Sequence, residues 1–276
     1  MNTEDRYLDL LKRSLLNEIY LDDELRILYL RDCLQQKDSF SYDVLHDIRD
    51  SRKHAFDRLK ESRQLGRFVD RDIHNSGFSH TMVGRERLDS LHECMDMIRT
   101  NNIQGDLVEC GVWRGGCVIF IAAYLSIYGI RNRRVFAVDS FMGLPKPSVE
   151  PDREIDLSQE LFPELSVSME TVKENFRVYG LDPEDVIFLS GWFKDSLPDL
   201  NSRTIALLRL DGDLYESTRD CLVNLYDKVV EGGIVIIDDW GVLPPCQQAV
   251  IDFFNERNIP LPTMTKIDWS GVFWIK

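Results

Sequence analysis

Residues 106–128 read DLVECGVWRGGCVIFIAAYLSIY, and this stretch decides the fold class. A short run at Asp106–Cys110 leads into a glycine-bearing turn, and a longer apolar segment follows at Gly115–Tyr128. The run has the length of a buried strand and the segment has the length of a helix. The stretch therefore predicts a strand, a turn and a helix, which is how a pair of parallel strands joined by a helix begins.

The same alternation continues along the chain and predicts five buried strands with helices between them. A terminal hairpin of Met264–Asp268 and Val272–Lys276 is expected around Ser270-Gly271. We therefore expect an α/β fold, a doubly wound sheet that is mostly parallel with an antiparallel terminal strand. The remaining predicted strands are Arg134–Asp139, Asp185–Ser190, Ile205–Asp211 and Ile234–Asp238, and the remaining helices are Met169–Tyr179, Tyr215–Val230 and Cys246–Asn258.

Residues 1–100 have a different pattern, with leucines such as Leu8, Leu11 and Leu15 at helical spacing among charged residues. The amphipathic helical pattern continues over Tyr42–Arg63, and helical periodicity resumes in Arg85–Arg99 after a break at Phe68–Gly84. We interpret residues 1–100 as a helical cap that contributes a lid and an oligomerisation region. Residues 101–276 form the catalytic core in this interpretation.

The composition limits the classes of partner. A net charge of -14 and a pI near 4.8 disfavour nucleic acid, because phosphate binding requires a basic surface. The sequence has no apolar run long enough to cross a bilayer and no leader peptide, so we expect no membrane association and a cytoplasmic location. A small-molecule partner fits better. Six cysteines without a CxxC pair are interpreted as reduced thiols in or near the core.

Ligands of open α/β sheets bind at the carboxyl ends of the strands, so the residues that follow each strand carry the information. After the first strand, Trp113 takes the place of the middle glycine of GxGxxG, which weakens a dinucleotide interpretation. Asp139, after the second strand, can accept both hydroxyls of a ribose, while Gly111 and Gly115 leave room for an amino-acid tail. The alternative is a glycine-rich turn with a capping acid.

Four carboxylates follow two further strands, at Asp211, Asp213, Asp238 and Asp239. Grouped in a partly buried site they would repel one another, so a positive charge is expected among them. Oxygen ligands favour a hard cation, and Mg²⁺ is our first choice. Helix capping by Asp213 or Asp239 is the alternative, although it does not account for the adjacent pair Asp238-Asp239 together with Asp211.

Several longer segments carry a family resemblance. The chain resembles the TylF/MycF macrocin O-methyltransferase family, to which NovP also belongs, over nearly its whole length. The resemblance implies a class I methyltransferase that uses S-adenosyl-L-methionine and Mg²⁺ to methylate a hydroxyl on a deoxysugar of an antibiotic or similar secondary metabolite. It also implies a homodimer or higher homo-oligomer. The segments are Arg6–Lys12, His80–Asp89, Glu109–Gly116, Asp139–Pro145, Leu210–Thr218 and Asp238–Trp240.

The resemblance also implies roles for individual residues. Asp211, Asp238 and Asp239 would be the metal ligands, and Asp213 the general base beside Asp211. Trp192 could stack on adenine or pack at the edge of the core, and His80 is more simply a structural histidine than a catalytic one. The residues expected to contact the cofactor are Thr81, Met82, Val83, Glu109, Gly111, Trp113, Gly115, Asp139, Ser140, Gly143, Trp192 and Asp211.

Three other functions remain open from the sequence. A metal-dependent catechol-type O-methyltransferase would share the carboxylates, but its flat acceptor favours an apolar clamp where this chain has a long, polar amino-terminal region. A non-catalytic protein that binds S-adenosyl-L-methionine would not require the intact set of acids. A nicotinamide dehydrogenase is disfavoured by Trp113.

Overall fold

The chain folds as two compact units, Met1–Asp89 and Ser90–Lys276. The computed structural model describes residues 2–66, 77–202 and 204–276. Of the predicted break at Phe68–Gly84, residues 68–76 lie outside the described residues. Among the described residues, no helix combines the length and the apolar character needed to cross a membrane.

The first unit is helical, and its helices pack around the buried side chains of Leu21, Leu25, Tyr29, Ile48 and Leu59. A buried ion pair supports this core, because Arg63 donates to Glu24 at 2.5 Å. The helices are α1 (Thr3–Leu15), α2 (Leu21–Leu34), α3 (Tyr42–His46), α4 (Ile48–Ser51) and α5 (Lys53–Leu65); α6 (Arg85–Thr100) contains the boundary between the units.

The amphipathic segment predicted over Tyr42–Arg63 is helical and divides into three helices, α3, α4 and α5. The backbone leaves the helical region at Asp47 and again at Arg52. These breaks allow Ile48 to reach the core and place the Arg52 guanidinium over the ring of Tyr29, 4.9 Å from its centroid. Tertiary packing therefore overrides the helical periodicity of the segment.

Within residues 90–202 and 204–276, seven strands form one sheet in the order β3-β2-β1-β4-β5-β7-β6. Strands β1 to β5 run parallel, and β7 pairs antiparallel with β5. The doubly wound sheet with its antiparallel terminal strand is confirmed. The strands are β1 (Asp106–Cys110), β2 (Val135–Asp139), β3 (Val186–Ser190), β4 (Ile205–Leu210), β5 (Val229–Ile237), β6 (Thr265–Lys266) and β7 (Val272–Ile275).

Helices connect these strands as the alternating pattern predicts. One layer is formed by α10 and α11, whose Cys221, Leu222, Phe253 and Phe254 belong to the same buried cluster as Val108 of β1. The helices of this unit are α7 (Gly116–Ile127), α8 (Met169–Val178), α9 (Phe193–Ser196), α10 (Tyr215–Leu225) and α11 (Pro244–Glu256). Short 3-10 turns occur at Glu18–Tyr20, Glu150–Asp152, Pro163–Leu165, Pro183–Asp185, Leu197–Asp199 and Tyr226–Lys228.

One boundary differs clearly from the prediction. The helix predicted to end at Val230 ends at Leu225, and β5 begins at Val229 rather than Ile234. The early start is explained by pairing at both edges: Val229 is in register with Ile205 of β4, and Gly232 donates to the carbonyl of Lys276 at 2.7 Å. Backbone hydrogen bonding to two neighbours favours the extended conformation there.

The switch in strand order lies between β1 and β4, where Gly111 follows β1 and Asp211 follows β4. Gly111 has a φ of +88°, and a Cβ added to it would lie 1.7 Å from the carbonyl oxygen of Asp211. No side chain fits in that gap. Gly111 thus allows the two chain segments to approach each other at the crevice where ligands of such sheets bind.

We predict that Gly111→Ala lowers the free energy of unfolding by at least about 4 kcal/mol, the range of severe packing and backbone defects. The control is Gly180→Ala, since Gly180 also has positive φ, +71°, but has nothing within 4 Å of an added Cβ. Backbone strain alone should cost the control about 1–2 kcal/mol. Urea denaturation followed by circular dichroism measures both, and equal losses would show that close approach is unimportant.

Candidate active site

The ends of β1, β2, β4 and β5 come together at one edge of the sheet, as the parallel strand order requires. Three residues other than glycine have positive φ in the loops at this edge: Trp113 (47°), Phe141 (56°) and Asp213 (61°). Such backbone conformations are costly and tend to occur at functional sites, where the surroundings hold them in place. The loops that were predicted to carry the chemistry are therefore also the strained ones.

A buried guanidinium, that of Arg209, lies at the centre of the site. Its Nη1 donates to Glu109 Oε1 at 2.7 Å and to Asp211 Oδ2 at 2.9 Å, and its Nη2 donates to Asp238 Oδ1 at 2.5 Å. Arg209 and Glu109 are only 3% and 2% exposed, so their charges are almost fully removed from water. Arg209 thus joins the carboxylates that follow β4 and β5 to the one inside β1.

The role of Arg209 was missed in the sequence, although a signal was present. Glu109 and Arg209 are charged residues next to apolar residues inside buried strands, and buried charges are normally paired. In the sheet, Glu109 of β1 is in register with Arg209 of β4, and Arg209 is in register with Ile236 of β5. Because side chains alternate along a strand, Asp211 and Asp238, each two residues further on, point to the same face.

Burial and the neighbouring charges shift the pKa values at this centre. Burial raises the pKa of Glu109, Arg209 opposes this rise, and the carboxylates of Asp211 and Asp238 add to it, with the combined effect of a pKa of about 8. Burial also disfavours the charged form of Arg209, but Asp238 and the other carboxylates outweigh burial and raise the Arg209 pKa. The guanidinium therefore stays protonated and holds its partners by charge-assisted hydrogen bonds.

A second group of carboxylates lies at the same place. Asp211, Asp213 and Asp239 each offer one oxygen, and these three atoms lie within 4.8 Å of one another. This group shares Asp211 and Asp239 with the predicted ligand set and contains Asp213, whereas Asp238 contacts Arg209. Burial, followed by repulsion from Asp211 and Asp238, raises the pKa of Asp213 well above its usual range.

The donor set suits a hard cation. Arg209 brings one positive charge, whereas Glu109, Asp211, Asp213, Asp238 and Asp239 can bring five negative charges. One guanidinium cannot balance that many carboxylates, and a divalent ion bound by oxygen atoms would reduce the remaining repulsion. The residues present therefore fit the Mg²⁺ that the sequence predicted.

Asp139 connects two of the loops. Its Oδ2 accepts the backbone N–H groups of Val112 at 2.7 Å and Trp113 at 3.3 Å, and its Oδ1 accepts that of Phe141 at 2.7 Å. Burial raises the Asp139 pKa, and these three hydrogen bonds oppose the rise. The sequence left two interpretations of Asp139 open, a ribose contact and a capping acid on a glycine-rich turn, and these hydrogen bonds agree with the second. The ribose contact itself stays a prediction.

The other predicted cofactor residues of this unit border the same crevice. Gly115, with φ of +92°, precedes α7, and Ser140 Oγ donates to the Gly143 carbonyl at 2.6 Å. The Trp113 indole N–H donates to the carbonyl of Glu164 at 2.9 Å. Trp192 is half-buried directly before α9. Their contacts with a cofactor stay predictions.

Thr81, Met82 and Val83 belong to the first unit. Thr81 Oγ1 accepts the Val83 N–H at 3.2 Å, and both residues are buried, whereas Met82 is exposed. His80 donates its backbone N–H to the Leu15 carbonyl at 2.8 Å, which gives it a structural contact. The role of residues 81–83 toward the cofactor stays a prediction.

The terminal hairpin contacts the acidic pair Asp238-Asp239 through the backbone of Asp238. Ser270, only 2% exposed, donates its hydroxyl to the Asp238 carbonyl at 2.6 Å. Asp268 Oδ1 in turn accepts the N–H groups of Ser270 at 2.8 Å and Gly271 at 2.7 Å. The sequence indicated only a turn here, and nothing in its spacing showed that the turn would reach Asp238.

We predict that Arg209→Met lowers the free energy of unfolding by about 3–5 kcal/mol, because it leaves Glu109 and Asp238 buried without their cation. The control is Arg257→Met, which removes an exposed ion pair with Asp227 at 2.7 Å and should cost less than about 1 kcal/mol. Denaturant titration of both variants measures the difference. A loss for Arg209→Met as small as that of the control would contradict a central role for this guanidinium.

Comparison with known proteins agrees with this arrangement. The sequence profile described as macrocin-O-methyltransferase (TylF) matches residues 4–276. The chain is 40% identical over 276 residues to the 8-demethyl-8-(2,3-dimethoxy-alpha-L-rhamnosyl)-tetracenomycin-C 4'-O-methyltransferase of Streptomyces olivaceus, covering 99% of this chain and 93% of that protein. It is 46% identical over 199 residues to the demethyldecarbamoylnovobiocin O-methyltransferase of Streptomyces niveus, covering 71% of this chain and 75% of that one.

A solved structure extends the similarity to the fold. The O-methyltransferase NovP is 36% identical, and it superposes with a TM-score of 0.80 over 99% of each chain. The family profile and the relatives together span nearly the whole chain, including every strand end that carries an acidic side chain. The chain therefore belongs to the macrocin-O-methyltransferase (TylF) family and is a methyltransferase.

Proposed function

We propose that this protein transfers a methyl group from S-adenosyl-L-methionine to a sugar hydroxyl of a small-molecule glycoside, in a reaction that requires Mg²⁺. The observation that carries the proposal is the group Asp211, Asp213 and Asp239, whose oxygens lie within 4.8 Å of one another at the carboxyl ends of the strands. In a member of this family, such a group supports metal-assisted methylation of an oxygen.

A glycoside acceptor is supported by the names of the relatives. The Streptomyces olivaceus protein is named for methylation of a rhamnosyl tetracenomycin, and the Streptomyces niveus protein for methylation of demethyldecarbamoylnovobiocin. At 40% and 46% identity, these proteins favour a related hydroxylated acceptor here. We propose a deoxysugar of a secondary metabolite as the acceptor class.

The crevice at β1 and β2 is the proposed site of the methyl donor. The turn from Gly111 to Gly115 would admit the amino-acid tail of S-adenosyl-L-methionine. Each oxygen of the Asp139 carboxylate can accept a further hydrogen bond, and these oxygens would accept the ribose hydroxyls. Glu109 supports the fit, because its Oε2 is buried and has no hydrogen-bond partner among the described residues. A buried polar atom without a partner is costly, and a polar group on the ligand would satisfy it.

The proposed mechanism divides the work among the carboxylates. Asp211, Asp238 and Asp239 would hold Mg²⁺, and Asp238 also accepts a hydrogen bond from Arg209. When bound, the ion lowers the pKa of the acceptor hydroxyl. Asp213 accepts the proton, because its carboxylate lies beside that of Asp211. The loops align the oxygen with the methyl group, and much of the acceleration comes from this alignment.

The amino-terminal helices, residues 1–100, are proposed to cover the acceptor and to contribute to a homodimer or higher oligomer with a second copy of the chain. Support comes from α2, where Ile27, Leu30 and Leu34 are 49%, 37% and 85% exposed. Their spacing places them on one face of the helix, while Leu25 and Tyr29 are buried on the other. An apolar stripe of this kind is typical of a surface that another chain covers.

We predict that Asp211→Asn reduces Mg²⁺-dependent turnover by more than about 100-fold, since it removes a ligand and a contact of Arg209. The control, Asp227→Asn on the exposed surface, should retain full activity. Turnover that persists at the wild-type rate in Asp211→Asn with chelator present would refute the metal assignment.

We also predict that the enzyme methylates a rhamnosylated aromatic acceptor and leaves the sugar-free aglycone and simple catechols unmodified. The reason is that one relative is named for methylation of a rhamnosyl tetracenomycin, which carries both a sugar and an aromatic aglycone. Product analysis by mass spectrometry after parallel incubations decides between the classes. Preferential methylation of catechols would favour the catechol-type alternative.

A further inference from the structure

Helix α10 follows the turn that contains Asp211 and Asp213, and the side chain of its N-cap residue makes no capping hydrogen bond. Leu214 occupies the N-cap position, and a leucine side chain cannot accept a hydrogen bond. The first N–H groups of a helix have no partner within the helix, and a serine, threonine or aspartate usually supplies one. The start of α10 therefore requires an acceptor from elsewhere in the chain.

Asp152 provides that acceptor, although it lies 63 residues before Tyr215. Its Oδ1 accepts the Tyr215 N–H at 2.7 Å, and its Oδ2 accepts the Glu216 N–H at 3.1 Å. Asp152 is only 2% exposed, and it lies in the segment between β2 and α8. A buried carboxylate at the positive end of a helix is favourable both as a cap and as a charge.

The turn that precedes α10 is strained. Leu214 donates its N–H to the Gly212 carbonyl at 2.6 Å, which closes a three-residue turn around Asp213 with its φ of 61°. Three-residue turns with positive φ are rare and persist only where the surroundings hold them. Ser217 holds one side, because its hydroxyl donates to the carbonyls of Gly212 and Leu214. Asp152 holds the two residues that come next.

We propose that Asp152 is a positioning residue: by capping α10 from a distant segment, it fixes the strained turn and directs Asp213 toward Asp211 and Asp239. The link also connects the segment between β2 and α8 to the helix that follows Asp213. This inference rests on the proposed function, because it concerns the same carboxylates. It adds a residue that contacts neither metal nor substrate.

The test compares Asp152→Ala with Asp156→Ala. Asp156 is the matched control because it lies in the same segment and also accepts a backbone N–H, that of Ser158 at 2.9 Å. Asp152→Asn keeps one acceptor oxygen and serves as the milder variant if the alanine variant does not fold. The measurements are amide exchange at Leu214, Tyr215 and Glu216, and Mn²⁺ affinity by calorimetry on the otherwise unmodified protein.

We expect Asp152→Ala to raise exchange at these three amides at least tenfold and to raise the Kd for Mn²⁺ about tenfold, as loss of an outer support of a metal site does. In the assay, kcat should fall while KM for the methyl donor stays constant. Asp156→Ala should remain within twofold of wild type in each measurement, and Asp152→Asn should lie between the two.

Unchanged Mn²⁺ affinity in Asp152→Ala, with protection of Tyr215 and Glu216 lost, would overturn the inference and leave Asp152 as a simple cap. A wild-type protein that binds no Mn²⁺ would instead refute the metal in the proposed function. In that case the Leu214 amide decides: accelerated exchange in Asp152→Ala supports control of the turn, and unchanged exchange overturns it.

Discussion

The hydrogen bonds of Arg209 are the contacts on which the rest of the site depends. Removing a guanidinium and its partners from water costs several kcal/mol per ion, and only close pairing in good geometry offsets that cost. Arg209 meets this condition by contacting Glu109, Asp211 and Asp238 at 2.5–2.9 Å. Because these partners belong to or follow three adjacent strands, the same interaction that makes the buried charges tolerable also sets the spacing of the acidic side chains.

Around this centre, each loop of the site is held by a residue from another part of the chain. Asp139 binds the turn after β1, Ser270 binds the carbonyl of Asp238, and Asp152 binds the start of α10. All three contacts join backbone groups to short polar side chains, of which Ser270 and Asp152 are only 2% exposed and Asp139 is partly buried. Such contacts leave little freedom, which suits a site that must hold an oxygen and a methyl group in line.

The sequence predicted the fold well because its signals are local: the limits of β1 agree with the structure at both ends, and the acidic residues do follow β4 and β5. What it could not predict depends on contacts between distant residues. Asp152 reaches α10 across 63 residues, and no local pattern marks that partnership. Arg209 was overlooked because its pairing becomes evident only when β1 and β4 are placed side by side. The division of Tyr42–Arg63 into three helices was not predicted for a related reason, since the breaks allow Ile48 to pack in the core.

The antiparallel strand β7 has a consequence for the order in which the site forms during synthesis. Ser270 and the strand that covers the edge of β5 leave the ribosome after all the carboxylates. In a nascent chain that lacks this hairpin, the edge of β5 is uncovered, and its unpaired backbone groups invite association with other chains. When the hairpin pairs with β5, it covers this edge and also brings Ser270 to the carbonyl of Asp238.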